Sequence, residues 1–239
     1  MKSNGKVVVV TGAGNGMGRQ TCLELLRRGA RVAGVDIKQE ALDETKRIAG
    51  VTDEAFVPFI ADISDQQEVA DLAHKVVEKF GHVDGLINVA GIINKFKKVS
   101  ELSYEDFHKV FGVNFYGTVH MVKEFLPLLL KRSEAQILNI SSMGGYVPVP
   151  GQTIYGASKA AIKLFSEGLR SELKGTNIGV SVLFPGAVNT NISINSGAVT
   201  AAEAEQMASS APKFKATDQV VAGKMIVDAF EKNPFHAFI

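Results

Sequence analysis

Tyr155-Gly156-Ala157-Ser158-Lys159 sets a phenol and an ammonium four residues apart. On a helix that is one turn and about 6 Å of axial rise, so the two side chains share a face. A free phenol with a pKa near 10 moves protons poorly at neutral pH, whereas a neighbouring cation favours phenolate and brings it toward the working range. An ordinary surface pair has the same spacing, so the chemistry calls for a third group. Ser141-Ser142 supplies one: Ser142 lies thirteen residues before the tyrosine, at the end of a β-rich run, where a hydroxyl faces the crevice in which α/β sheets hold ligands.

A second candidate site lies near the amino terminus. Thr11-Gly12-Ala13-Gly14-Asn15-Gly16-Met17-Gly18 follows the run Lys6 to Val10 and opens a helical pattern. Four glycines in eight residues let the backbone turn tightly and approach a pyrophosphate, whose charge meets the free N–H groups at the helix start. A tight strand-to-helix turn is the blander reading of such a cluster. Asp36 tips the balance, because it ends the next β-rich run 18 residues after Gly18. A carboxylate there accepts from both ribose hydroxyls and repels a 2′-phosphate, which favours NAD over NADP. Arg19 and Lys38 are the cations within reach of such a phosphate, and they weigh the other way.

These residues need a scaffold that brings them to one edge. Short β-rich runs alternate with helical periods, the pattern of parallel βαβ units. Strands are expected at Lys6 to Val10, Arg31 to Val35, Ala55 to Ile60, Gly85 to Val89, Gln136 to Ile140 and Gly179 to Phe184, with a last one at Phe235 to Ile239. Helices are expected at Met17 to Arg28, Gln39 to Ala49, Gln66 to Phe80, Tyr104 to Lys131 in two pieces, and Ala157 to Lys174. The economical fold is an α/β, doubly wound parallel sheet of Rossmann type with helices on both faces, one domain over residues 1–239. Ser193 to Pro212, rich in alanine and serine, reads as a short helix or a flap, and residues 191–212 as the substrate flap.

Composition narrows the partners. With 26 basic and 25 acidic residues the net charge is +1, which gives no footprint for nucleic acid or an acidic membrane. The single cysteine, Cys22, forms no internal disulfide, supplies no Cys-rich zinc site, and suggests a reducing, cytoplasmic setting. The five histidines lack metal-ligand spacing, so no metal is expected. Val119 to Leu130 is interrupted by Lys123 and Glu124, and no run is long enough to span a bilayer.

Taken in order, these motifs resemble the short-chain dehydrogenase/reductase family over essentially the whole chain. The glycine loop matches Thr11 to Gly18. Asp62 in Ala61-Asp62-Ile63 matches the adenine-side acid, Asn88-Val89-Ala90-Gly91 the NNAG motif, and Asn114 the helical asparagine. Ser142, Tyr155 and Lys159 complete a tetrad with Asn114, and Pro185-Gly186-Ala187-Val188-Asn189-Thr190 matches the nicotinamide-side loop. The resemblance implies cofactor contacts from Gly12, Gly14, Asn15, Gly16, Met17 and Gly18, and from Asp36, Ile37, Asp62, Ile63, Asn88, Ala90 and Gly91. On the nicotinamide side it implies contacts from Tyr155, Lys159, Pro185, Gly186, Val188 and Thr190. It also implies that Tyr155 gives a proton to a carbonyl or takes one from an alcohol, with Ser142 holding the substrate oxygen. Lys159 is implied to bind the ribose and lower the phenol's pKa, and Asn114 to hold a water that links Lys159 to solvent. Val89 departs from the second asparagine of NNAG, so that side chain's hydrogen bonds are expected to be missing.

Substrate choice falls to the irregular segments Ile92 to Phe96, Met143 to Gln152 and the flap. Ile93, Met143, Tyr146, Val147, Pro150, Gln152, Ile192, Ile194 and Met207 are mostly apolar and suit a moderately hydrophobic ketone or secondary alcohol. Lys95, Lys97 and Lys98 read as a solvated loop, with attraction of a phosphate or carrier-borne substrate as the sharper alternative. Two other functions share these motifs: an NADPH-dependent reductase of carrier-bound 3-oxoacyl chains, and a non-catalytic dinucleotide sensor. The resemblance further implies a homodimer or homotetramer.

Overall fold

A computed structural model describes residues 1–200, 202–203 and 216–239. Met207 and most of residues 201–215, the second half of the expected flap, lie outside the described residues.

Seven strands form one wholly parallel sheet in the order β3-β2-β1-β4-β5-β6-β7. They are β1 (Val7–Thr11), β2 (Arg31–Asp36), β3 (Phe56–Ile60), β4 (Gly85–Asn88), β5 (Ala135–Ile140), β6 (Ile178–Phe184) and β7 (His236–Phe238). Strand β1 is central and buried along its length because side chains alternate faces and both faces are covered. Val7 and Val9 enter one core with Leu72, Val76 and Phe125, while Val8 and Val10 enter the other with Cys22, Leu25, Ile226 and Phe230.

The helices that cover the faces are α1 (Gly16–Arg27), α2 (Gln39–Ala49), α3 (Gln66–Phe80), α4 (Tyr104–Phe111), α5 (Gly117–Leu129), α6 (Thr153–Glu172), the short α7 (Ile192–Asn195) and α8 (Gln219–Lys232). The Asp65 side chain caps α3 on the N–H groups of Gln67 and Glu68, and Asp218 caps α8 on those of Val220 and Val221. Chain order reverses between β1 and β4, so the crossovers leave on opposite faces and a crevice opens at the strands' carboxyl ends.

Most expected segments form, with shifted ends. The two-piece helix over residues 104–131 is interrupted by a π-helical turn at Gly112–Tyr116, a local widening common at functional sites. Helix α6 begins at Thr153, four residues before the expected start at Ala157, because its first turn lacks the apolar period that marks a helix in sequence. Strand β7 is three residues long, shorter than Phe235 to Ile239. Phe235 O and Ile239 N still bond Val182 N and Phe184 O of β6.

Candidate active site

The glycine loop is built as a cradle between β1 and α1. Gly12 sits at φ +69°, a conformation that side chains rarely adopt, and a Cβ there would stand 3.0 Å from the Cα and N of Ala90. At Gly18 a Cβ would meet the Gly12 carbonyl, so the helix closes directly on the loop. Thr11 accepts on Oγ1 from the N–H groups of Val89 and Ala90, each at 3.1 Å, which joins this loop to the one after β4. Asn15 caps α1 by accepting from Gly16 N.

A cleft of about 600 Å³ opens beside the cradle. Of the expected cofactor residues, Gly12, Asn15, Asp36, Ile37, Asp62, Ile63, Ala90 and Gly91 line it. Asp36 at the end of β2 accepts from Gly14 N at 2.9 Å and from Lys38 N at 3.2 Å, one bond on each oxygen, leaving lone pairs for further donors. The Arg19 guanidinium is committed elsewhere: it donates to the carbonyls of Gly14 and Ala41 and to Thr45 Oγ1. Lys38 is exposed at the cleft wall.

The remaining expected contacts divide. The Thr190 side chain packs over Gly16, 3.5 Å from where a Cβ would sit, which brings the nicotinamide-side loop onto the glycine loop. That loop is held by a bridge between Val188 and Thr217, and Gly186 N donates to Ile239 O. Pro185 O accepts from Met143 N, beside Ser142. Met17 instead packs on the core that holds Cys22. Asn88 is 2% exposed and gives its Nδ2 to Asn139 Oδ1, while its own Oδ1 is buried without a donor. Val89, where the second asparagine of NNAG was missed, packs on that same core, so apolar contact and the Thr11 bonds hold the segment.

The tetrad converges. Ser142 Oγ and the Tyr155 ring both lie 3.4 Å from the point a Cβ on Gly144 would occupy, so hydroxyl and phenol share one side of that turn. Ser141, the rival serine, is turned away: its Oγ donates to Lys159 O, and the residue is 1% exposed. Burial pushes the Tyr155 phenol above its ordinary pKa, and the Ser142 hydroxyl pulls the other way.

Lys159 is 3% exposed. Its Nζ donates to Ile140 O at 2.9 Å and lies 5.8 Å from the centre of the Tyr155 ring. Burial alone lowers its pKa to about 8. In this geometry burial is the larger influence on the phenol, and the Lys159 ammonium donates to the Ile140 carbonyl.

Asn114 comes from the π-helical turn and is wholly buried. It receives Ile92 N on Oδ1 and donates from Nδ2 to Ile92 O and to Ser158 Oγ. Asn114 Oδ1 and Lys159 Nζ each lie 3.2 Å from the position of a Cβ on Gly91, so only glycine leaves that face open.

Sequence reasoning missed Thr11 as a clasp, Asn94 as a partner of the helix bearing Tyr155, and Ser158 as a prop for Asn114. All three act through hydrogen bonds to distant segments, which no local period or spacing signals. The expected apolar positions Met143, Val147 and Ile194 are 36%, 57% and 38% exposed. Ile93 N donates to Ser196 Oγ, which fastens the start of the flap to the loop after β4.

A family model described as short chain dehydrogenase matches residues 6–200. The chain is 34% identical over 194 residues to "3-oxoacyl-[acyl-carrier-protein] reductase FabG" of Thermotoga maritima, covering 80% of this chain and 77% of that protein. It is similar to a solved short chain dehydrogenase/reductase from Burkholderia phymatum in complex with NAD, with a TM-score of 0.90 and 28% identity over 100% of this chain and 90% of the other. The closed form of serine dehydrogenase complexed with NADP+ superposes with a TM-score of 0.88 at 25% identity, covering 98% and 94% of the two chains.

Proposed function

The chain belongs to the short-chain dehydrogenase/reductase family of oxidoreductases acting on CH–OH groups, and on that premise we propose that it interconverts a secondary alcohol and a ketone with NAD(H), using Tyr155 as general acid and base. The observation that carries the reading is the convergence of Ser142 Oγ and the Tyr155 ring on one point, with buried Lys159 one turn further along the same helix.

The cradle fits a dinucleotide: Gly12 and Gly18 leave no room for side chains, the cleft is about 600 Å³, and Asp36 keeps free lone pairs at its wall. Gly12 to Gly18 would hold the pyrophosphate, Asp36 the adenosine ribose, Asp62 and Ile63 the adenine side, and Lys159 the second ribose. The bound nicotinamide supplies or takes the hydride at C4. In reduction, Tyr155 gives its proton to the substrate oxygen while Ser142 donates a hydrogen bond to the same atom, and oxidation reverses both transfers. Asn114 holds the loop that starts at Gly91 against Lys159 through both of its bonds to Ile92.

Support for NAD over NADP comes from Asp36 at the cleft and from Arg19, whose Nε and Nη2 already donate to Thr45 and Gly14. Exposed Met143, Val147 and Ile194 support a moderately apolar substrate. The one, buried cysteine supports a reducing, cytoplasmic compartment. Exposed Tyr104, Tyr116 and Leu164 on the α4, π-turn and α6 face support a homo-oligomer, which light scattering tests.

Tyr155→Phe is expected to abolish turnover across a panel of alcohols and ketones while NADH binding, followed by fluorescence, is retained. Unchanged turnover rejects the assignment. A second reading, an NADPH-dependent reductase of carrier-bound 3-oxoacyl chains, draws support from the Thermotoga maritima relative of that name. A strong kinetic preference for NADPH and for carrier-bound substrates would decide for it.

A further inference from the structure

We infer that Asn94 is a positioning residue for the proposed reaction: from the loop after β4 it caps the helix that carries Tyr155 and Lys159, and so fixes the phenol against Ser142. The inference rests on the reading of Tyr155 as the proton donor and acceptor.

A helix leaves its first N–H groups without partners, and the residue at its N-cap commonly supplies a side-chain acceptor to the N–H two or three positions on. Helix α6 lacks this. Gln152 occupies the N-cap and makes no such bond. The acceptor comes from 61 residues away instead, where Asn94 Oδ1 receives Tyr155 N at 3.3 Å. That N–H is in the third helical position, the one a local cap would serve.

The rest of the Asn94 side chain fixes where the oxygen stands. Its Nδ2 donates to Gly151 O at 2.9 Å and to Lys95 O at 2.7 Å, so both sides of the amide are engaged. Gln152 answers from the other loop, donating from Nε2 to Asn94 O at 2.7 Å. Its own Oε1 is buried and receives no donor, so Asn94 alone holds the polar end of that side chain. Asn94 and Gln152 are 4% and 5% exposed, so removing one of these bonds leaves a buried polar group without its partner.

Asn94 also ends a segment whose other members touch the remaining site residues. Gly91 faces Asn114 Oδ1 and Lys159 Nζ, Ile92 is bonded on both its N–H and its C=O by Asn114, and Ile93 N is bonded to Ser196 of the flap. The placement of Tyr155 is therefore referred to the same backbone that locates Asn114 and Lys159. With alanine at position 94 the first turn of α6 loses its acceptor, Gly151 O loses its donor, and the phenol drifts from Ser142. Small misplacements of a reacting group lower kcat by about 10- to 100-fold. Dinucleotide affinity falls by less than kcat does, because Gly12 to Gly18 and Asp36 make none of these bonds and only Lys159 reaches the cofactor from α6.

The test compares Asn94→Ala and Asn94→Asp in the full chain by kcat, KM, the NADH dissociation constant, and amide exchange at Ile154 to Gly156. Aspartate has the same shape. Protonated, it keeps an acceptor for Tyr155 N and a donor for Gly151 O; ionised, it confronts the carbonyls of Gly151 and Lys95. The ratio of its kcat to that of the unaltered chain should therefore be highest at low pH and fall as the carboxyl ionises and loses its donor to Gly151 O, staying above the alanine level because the carboxylate still accepts from Tyr155 N. A role in folding alone gives a ratio that does not vary with pH, and this also decides the matter should the alanine variant fold poorly.

The inference is upheld by a kcat lowered about 10- to 100-fold in Asn94→Ala with NADH affinity changed by less, faster exchange at Tyr155 N–H, and pH-dependent rescue by aspartate. Normal kcat in Asn94→Ala, a pH-independent aspartate ratio, or unaltered exchange at Tyr155 N–H overturns it. The reading of Tyr155 fails separately, if Tyr155→Phe retains full turnover, and the exchange measurement still decides whether Asn94 is the cap.

Discussion

Replacing Lys159 by methionine should make the protein more stable at neutral pH and by less as the pH rises. The ammonium is 3% exposed, and burial lowers its pKa to about 8 from an ordinary value of 10.5. At about 1.4 kcal/mol per pH unit, that gap destabilises the folded chain by about 3 kcal/mol wherever the lysine is charged in both states. The sign follows from proton counts. Below pH 8 folded and unfolded chains both carry the proton, and the full penalty applies. Between 8 and 10.5 the unfolded chain holds more protons than the folded one, so stability rises with pH, and above 10.5 the penalty is gone. Methionine removes the penalty at every pH and also removes the bond to Ile140 O, worth about 1 kcal/mol and nearly independent of pH. The variant should therefore gain about 2 kcal/mol at pH 7, or about 4–8 °C in Tm for a chain of this size, and lose about 1 kcal/mol at the alkaline limit. Urea unfolding of both chains from pH 6.5 to 10 measures the difference. A stability difference that stays flat across that range refutes the argument, because it would mean that Lys159 is solvated when folded. On the proposed role of Lys159, turnover should be lost over the same range, and the gain in stability would then come from discarding a group held for its chemistry.

Three further substitutions probe the scaffold. Gly223→Ala sets a Cβ within 2.9 Å of the Gln20 backbone, where α1 and α8 press together, and should cost about 1–3 kcal/mol in thermal unfolding. Thr11→Val leaves the N–H groups of Val89 and Ala90 without their acceptor and should cost about 2 kcal/mol, with weaker NADH binding by fluorescence titration. Asp84 is 1% exposed; burial pushes its pKa up, but the Val7 N–H and Arg132 outweigh that and hold it below the ordinary carboxylate value. Its stabilisation is present above the unfolded value and lost as pH falls through the folded one, so Asp84→Asn should cost about 2 kcal/mol at pH 7 and close on the unaltered chain only in acid, below the ordinary carboxylate range.

The sheet was legible because its inner strands are buried on both faces and read as apolar runs such as Val7 to Val10. The glycine loop was legible because backbone approach demands a residue type that little else demands. Helix α6 was only partly so. Its buried side carries Ser158, Lys159 and Ser166 among Ile154, Ile162 and Leu169, and its first turn is fixed by Asn94 from another loop. An apolar period therefore detects the helix late, from Ala157 instead of Thr153. Thr11, Asn94 and Ser158 escaped notice for one reason: each bonds a backbone or side-chain group at least 44 residues away.

That mismatch in α6 has a physical consequence. A helix that lays polar side chains on a sheet must find each of them a partner, or lose the desolvation energy of the group. Ser166 receives Asn139 and bonds Ile162 O, Ser158 receives Asn114 and bonds Tyr155 O, and Lys159 bonds Ile140 O. The ties that leave α6 run to two elements, β5 and the π-helical turn, so α6 cannot slide or rotate without leaving several buried groups bare at once. Apolar packing alone tolerates such shifts at low cost, since Leu against Ile has no fixed register. The polar face therefore gives the register of Tyr155 against Ser142 a definition that an apolar face would not, and the destabilisation at Lys159 is set against that gain in placement.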